Sequence, residues 1–187
     1  QGVVAAGLEA HNSYTMLSQS LEALTARELL HAGTVTEMSE ALALAAPKAK
    51  ELLDWNRELA LNSPFSEEGV AEAFKMAQAF GFVTESANEN VISAKRLTEA
   101  LIDYTVATGN SEEMMSRLQL ALGQIQAKGK LAGDEVLQLV EAGVNVDKIL
   151  ADAFGKSREE IVQMREKGLI PANDAILAIV QSMERDY

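Results

Sequence analysis

The sequence predicts an all-α protein, a compact multi-helix domain of short capped helices with a longer N-terminal helical segment. Three observations lead there. Only 5% of the 187 residues are aromatic, while Ala, Leu, Glu, Met, Gln and Lys abound, the residues that lose least on entering a helix. No run alternates Val, Ile, Thr and aromatics as a strand does. Apolar residues instead recur at three-to-four spacing between Gly or Pro stops about every 15 to 25 residues.

Residues 5–31 read as one helix of about 40 Å. Leu17, Leu21 and Leu24 have coiled-coil-like spacing, with Glu9, Glu22, Arg27 and Glu28 spread around them; three leucines are too few heptads to separate a coiled coil from packing on a neighbouring helix. Gly33 stops it, and Thr34-Val35-Thr36-Glu37 is a capping box for a helix carrying Met38, Leu42 and Leu44. Pro47 fits the first turn of a further helix, where its missing N–H costs nothing, with a continuous kinked helix as the competing reading. Trp55 sits among Leu52, Leu53, Leu59 and Leu61 and reads as packing rather than as a ligand platform.

Residues 62–66 break the pattern, because Pro64 forces Ser63 out of helical space. Ser66 then caps a helix whose first turn holds Glu67 and Glu68, whose buried face is Val70, Phe74, Ala77 and Phe80, and whose end is Gly81. Thr84 or Ser86 starts a longer helix carrying Val91, Ile92, Leu97, Leu101 and Ile102 to Thr108-Gly109. Asn110-Ser111-Glu112-Glu113 is a second capping box, leading through Met114 and Met115 to Leu118, Leu122 and Ile125. Lys128-Gly129 supplies a cationic last turn and a left-handed stop. Past the corner at Leu131, Asp134 and Glu135 occupy a first turn, and Val136, Leu137 and Val140 resume the apolar period until Gly143. A short helix over 144–154 closes at Gly155, and Ser157-Arg158-Glu159-Glu160 is a third capping box before Ile161, Met164 and the stop Lys167-Gly168. Pro171 and Asn173 open the last helix, with Ile176, Leu177, Ile179 and Val180.

One pattern repeats. Gln124, Lys128 and Gly129 recur 39 residues on as Gln163, Lys167 and Gly168, and Leu131, Asp134, Glu135 and Leu137 as Ile170, Asn173, Asp174 and Ile176. Two copies fall short of a solenoid and read as a duplicated helix–corner–helix unit within one domain.

The composition argues against several kinds of chemistry. A net charge of -12 repels phosphate backbones and anionic membranes, so no direct nucleic-acid or membrane partner is expected of this segment. There is no cysteine for disulfides or thiol catalysis, and no apolar run of the roughly 18 residues a membrane span needs. His11 and His31 lie too far apart on one helix to share a metal, so no metal or other cofactor is expected. The acidic pairs Glu67-Glu68, Glu112-Glu113 and Glu159-Glu160 are accounted for by helix dipoles. Gly129-Lys130-Leu131-Ala132-Gly133 lacks the strand and Ser/Thr of a phosphate loop, and Asn145 and Asp147 alone do not make a calcium loop. Met38, Met76, Met114, Met115 and Met164 read as core filler. No catalytic constellation emerges. The absence of a start methionine at Gln1 and of a signal peptide reads as a fragment or processed piece of a longer protein.

Ser63-Pro64-Phe65, Ala79-Phe80-Gly81, Thr108-Gly109, the run over 122–131 with Gly123, Gln124, Lys128 and Gly129, and Gln138 through Gly143 together resemble the tape measure domain of tailed-phage and prophage tail proteins. Gly155-Lys156-Ser157 and Met164 through Gly168 fit the same pattern. The likeness covers residues 47–187; residues 1–46 match as a generic helical lead-in, which divides the chain into 1–46 and 47–187.

The resemblance implies a structural, non-enzymatic role in the virion tail, reached from the host bacterial cytoplasm during assembly. It implies contacts with tail tube, tail assembly chaperone and tail tip proteins, and a bearing on tail length. Homo-oligomerisation through the first helix is left open, as is the alternative of a general α-helical interaction module unrelated to tails. An enzyme domain would need active groups from a partner chain. An unbroken helix of this length would run about 280 Å, whereas the frequent stops predict a compact domain near one end of the measuring protein.

Overall fold

The computed structural model describes residues 2–187, with side chains from Tyr14 onward; the side chains of Glu9 and His11, and Gln1 itself, lie outside the described residues. Nine helices and no strand are present among the described residues. They are α1 Gly2–His31, α2 Met38–Leu61, α3 Glu67–Ala79, α4 Ala94–Ala107, α5 Glu112–Lys128, α6 Gly133–Glu141, α7 Val146–Phe154, α8 Arg158–Glu166 and α9 Ala172–Asp186.

The two longest helices form an antiparallel hairpin. Leu17 and Leu21 turn onto the chain's own core, so packing on a neighbour, the second of the two readings, describes α1 within the chain. Beyond Leu21 the hairpin carries a separate small cluster of Ala26, Val35, Ala41 and Ala45, flanked by Leu29 and Leu30. Here the capping box at 34–37 fails to form. Val35 is buried in that cluster, the chain stays extended to Glu37, and Glu37 becomes an N-cap with no side-chain bond.

The expected helix start at Pro47 is also overturned. One helix runs through it without a break from Met38 to Leu61, as the competing reading has it in continuity. The reason is a buried stripe of Ala41, Ala45 and Ala49 that spans the proline and packs the helix on both sides of it. The stripe's partner residues Met38, Leu42 and Leu44 face outward, so Met38 is not core filler.

The main core gathers α2–α9 around Phe74, Leu97, Leu101, Met115, Leu118, Leu122 and Ile125. The break at 62–66 is where the sequence puts it, and Ser66 Oγ accepts the Gly69 N–H. Trp55 packs edge-on against Phe74, with ring centroids 5.0 Å apart, and its indole N–H donates to Glu99.

The largest correction lies at 80–93. No helix starts at Thr84 or Ser86; α4 begins after Ser93, whose Oγ accepts the Arg96 N–H. Local bonds win over the helix there: Asn88 N–H donates to Ser86 Oγ and Asn90 N–H to Asn88 Oδ1. Thr84 is held through its N–H and hydroxyl by Glu28 of α1. Val91 and Ile92 therefore lie in the connection, where Ile92 is buried and Val91 exposed.

Candidate protein-interaction face

The corner between α5 and α6 is built from α5 outward. Ser111 caps α5 without a side-chain bond, so the second capping box does not close. The Glu112 carboxylate points away to α3, where Oε1 accepts from both the N–H and hydroxyl of Ser66 at 2.9 Å. Gly69 leaves room for it, since a Cβ there would strike Glu112. One carboxylate thus ties the start of α5 to the start of α3, where the helix dipole favours negative charge.

Further along α5, Gly123 lies against the Phe80 ring so closely that a Cβ would overlap it. Two of the motifs singled out in the sequence, around Phe80 and around Gly123, meet here. Lys128 ends the helix and donates to Glu135 Oε1 of α6 at 2.6 Å. That bond raises the Lys128 pKa above its ordinary value. Glu135 is 2% exposed, and its Oε2 has no hydrogen-bond donor among the described residues.

Gly129 adopts the left-handed conformation at φ 76°, and Gly168 does the same at φ 67°. The two corners then pair. Leu131 N–H donates to Ile170 O at 3.0 Å, Ala172 N–H donates to Gly129 O at 3.1 Å, and Lys130 bridges Pro171 in antiparallel sense. Leu131 and Ile170, matched residues of the internal duplication, sit opposite one another, both buried. The repeat therefore has a physical expression: each corner satisfies the other's backbone groups. The third capping box, at Ser157 and Glu160, forms in full at the head of α8.

On α6 the apolar period divides. Val136 and Leu139 are buried, whereas Leu137 is 59% and Val140 51% exposed, and Leu120 on neighbouring α5 is 40% exposed. Gln124 and Gln138, expected as corner hydrogen bonders, make no side-chain hydrogen bond among the described residues; the corner is held by backbone and by Lys128. Both glutamines instead line an open cleft of about 490 Å³ between α5 and α6, with Lys128, Asp134 and Glu135. A second cleft of about 280 Å³ continues past Gln138 and Glu141 to Leu120 and Met114.

The remaining singled-out residues lie elsewhere. Ser63 Oγ donates to Ala60 O and accepts from Phe65 N–H around Pro64, and Phe65 packs on the core. Gly81, Gly109, Gly143 and Gly155 stand at helix ends. Beside Gly143, the Tyr104 hydroxyl donates to Ala142 O at 2.7 Å, and burial pushes that phenol's pKa up. These positions organise the fold at separate points and do not converge on one pocket. No group of three or more His, Cys, Asp or Glu able to hold a metal occurs among the described residues, and none of their helices is long and apolar enough to cross a membrane. Sequence reasoning missed the exposed trio Leu120, Leu137 and Val140, because helical period alone cannot say which apolar residues on a wide face go uncovered.

The described chain is thus an all-α body in which Leu137 and Val140 of α6 stay open to solvent near the cleft shared with α5. The tape measure protein family matches residues 6–187, and the chain belongs to that family. The match reaches well upstream of residue 47, into the α1–α2 hairpin. Membership carries a phage-tail setting and a structural rather than enzymatic family. No curated protein and no solved structure matches the chain.

Proposed function

We propose that this chain is an assembly module of a phage or prophage tail tape measure protein. It folds as a globular end domain rather than as ruler shaft, and bears on tail assembly and length through contacts with tail tube, assembly chaperone and tail tip proteins. It meets these partners in the host bacterial cytoplasm and remains with the virion tail. The α5–α6 face and the motif residues around it supply the contact surface. The 1–46 lead-in adds α1 and the first part of α2, which carry a small cluster separate from the main core.

The observation that carries this reading is the fold-back itself: successive helices return onto one core instead of continuing as a rod. The test is in-frame removal of this segment from its parent protein, with tails measured by electron microscopy. The expected result is a failure of tail assembly, or tails of unregulated length. Normal tails shortened by about 280 Å, the length of the segment as a single helix, would show that it serves as shaft.

A further inference from the structure

The far end of the α1–α2 hairpin stands on a different footing from the rest of the molecule. Helices α2 and α3 run antiparallel across the break at 62–66, and Trp55 facing Phe74 fixes their register. With equal rise on both helices, the end of α3 at Ala79 comes level with Lys50. From there to its start at Met38, α2 runs on for about 18 Å past the end of α3. The packing changes at the same level. The main core reaches Leu21 on α1 and Ala49 on α2. Past them lies the separate cluster of Ala26, Val35, Ala41 and Ala45, with Leu29 and Leu30 beside it. Three of its four buried members are alanines, each hiding a single methyl group, so the apolar burial holding this end is small.

Among the described residues, side-chain hydrogen bonds tie this stretch to the body at two adjacent places. Glu28 Oε1 accepts the Thr84 N–H at 3.1 Å, and Glu28 Oε2 accepts the Thr84 hydroxyl. Lys48 Nζ donates to Glu85 Oε2 at 2.9 Å. Thr84 and Glu85 belong to the connection after α3, so a loop rather than a helix meets the hairpin here. The stretch also has two weak points of its own. Pro47 offers no N–H to the Ala43 carbonyl. Thr25 is buried, and its hydroxyl has no partner among the described residues. Regions with few buried apolar contacts open at a lower free energy than the whole molecule.

We infer that residues 22–48 form an arm that opens as a unit while the body built on α3–α9 stays folded, with the contacts of Glu28 and Lys48 to Thr84 and Glu85 as its latch. Opening parts the alanine cluster and frees the 80–93 connection in one event. The device lies in the fold itself and does not depend on which proteins the chain meets.

Hydrogen exchange of the 187-residue chain, followed by NMR or mass spectrometry, tests it. Amides of the arm are expected to exchange together and faster than those of α4 and α5. The paired substitution Glu28→Ala and Lys48→Ala removes the latch and puts the best helix former at both sites, so weaker helix propensity cannot account for any added opening. It is expected to speed exchange of the arm about tenfold or more and to leave α4 and α5 unchanged. Pro47→Ala restores the missing backbone bond and is expected to slow exchange of the arm alone. Arm amides as protected as those of α5 overturn the inference. So does a paired variant whose exchange rises evenly along the chain or not at all in the arm, and so does a Pro47→Ala chain whose arm exchanges as before.

Discussion

Gly123 and Gln119, one turn apart on α5, show how single side chains set the tolerance of this core. At Gly123 the helix would gain about 1 kcal/mol from alanine on propensity alone, yet the added Cβ would overlap the Phe80 ring. Overpacking of that kind costs about 1–3 kcal/mol. Gly123→Ala is therefore expected to lower the urea midpoint, and shortening the obstacle with Phe80→Leu in the same chain should recover part of the loss. A stability gain from Gly123→Ala alone would refute the close contact. Gln119 is the reverse case, fully buried with neither amide atom partnered among the described residues. Removing both unsatisfied groups with Gln119→Leu should stabilise the chain by about 1–2 kcal/mol in equilibrium denaturation. A loss of stability would mean that the amide has partners after all. The sequence marked Gly123 through its motif but gave no sign of Gln119, since a glutamine at helical spacing reads as surface until its neighbours are known.

Helices and their connections were legible where a cap or a glycine stop alone decides them, and misread where a distant contact also acts. Ser66 and Ser157 cap their helices with their own hydroxyls, and Lys128-Gly129 stops α5 by local geometry, so all three could be read from sequence. The connection 80–93 could not, because Glu28, some fifty residues earlier, holds Thr84. The next residue continues that clamp: Glu85 binds Lys95 of α4 and, at 2.9 Å, Lys48 of α2. The two ammonium groups hold its carboxyl below the usual glutamate range. A depressed carboxylate pKa stabilises the fold above the unfolded-state value and ceases to do so as pH falls through the folded one. Wild type should thus melt above Glu85→Gln at pH 7, with the gap closing below about pH 4. A gap that persists unchanged in acid would assign the effect to packing rather than to charge. Because the clamp is largely exposed, the gap is expected to be small.

At the scale of the whole molecule, a chain that would run about 280 Å as one unbroken helix is folded back onto a main core. A single compact chain of this length has a radius of gyration of about 16–18 Å, and small-angle scattering should return a value near it. A rod-like profile would contradict the fold. The family, too, was readable from the order of weak motifs, although the match extends further toward the N-terminus than those motifs reach. The exposed strip on α6 was not readable, because coverage of a helix face depends on which other helices arrive there.

The paired corners also bear on how the chain yields to force. Gly129 is bonded to Ala172 and Leu131 to Ile170, so the strand ends leading to the two chain termini lie on the same side of the bridge. Tension between the termini loads those bonds one after another, as in unzipping, and never both in parallel. Once they part, the segment enclosed between Leu131 and Ile170 is free to pay out. That is about forty residues, or roughly 140 Å of contour when fully extended. In an optical trap, the last step on stretching is expected to be a low-force release of about that length. Substituting Leu131→Ala, which loosens the buried residue behind the bridge, should lower the force of the step and leave its length unchanged.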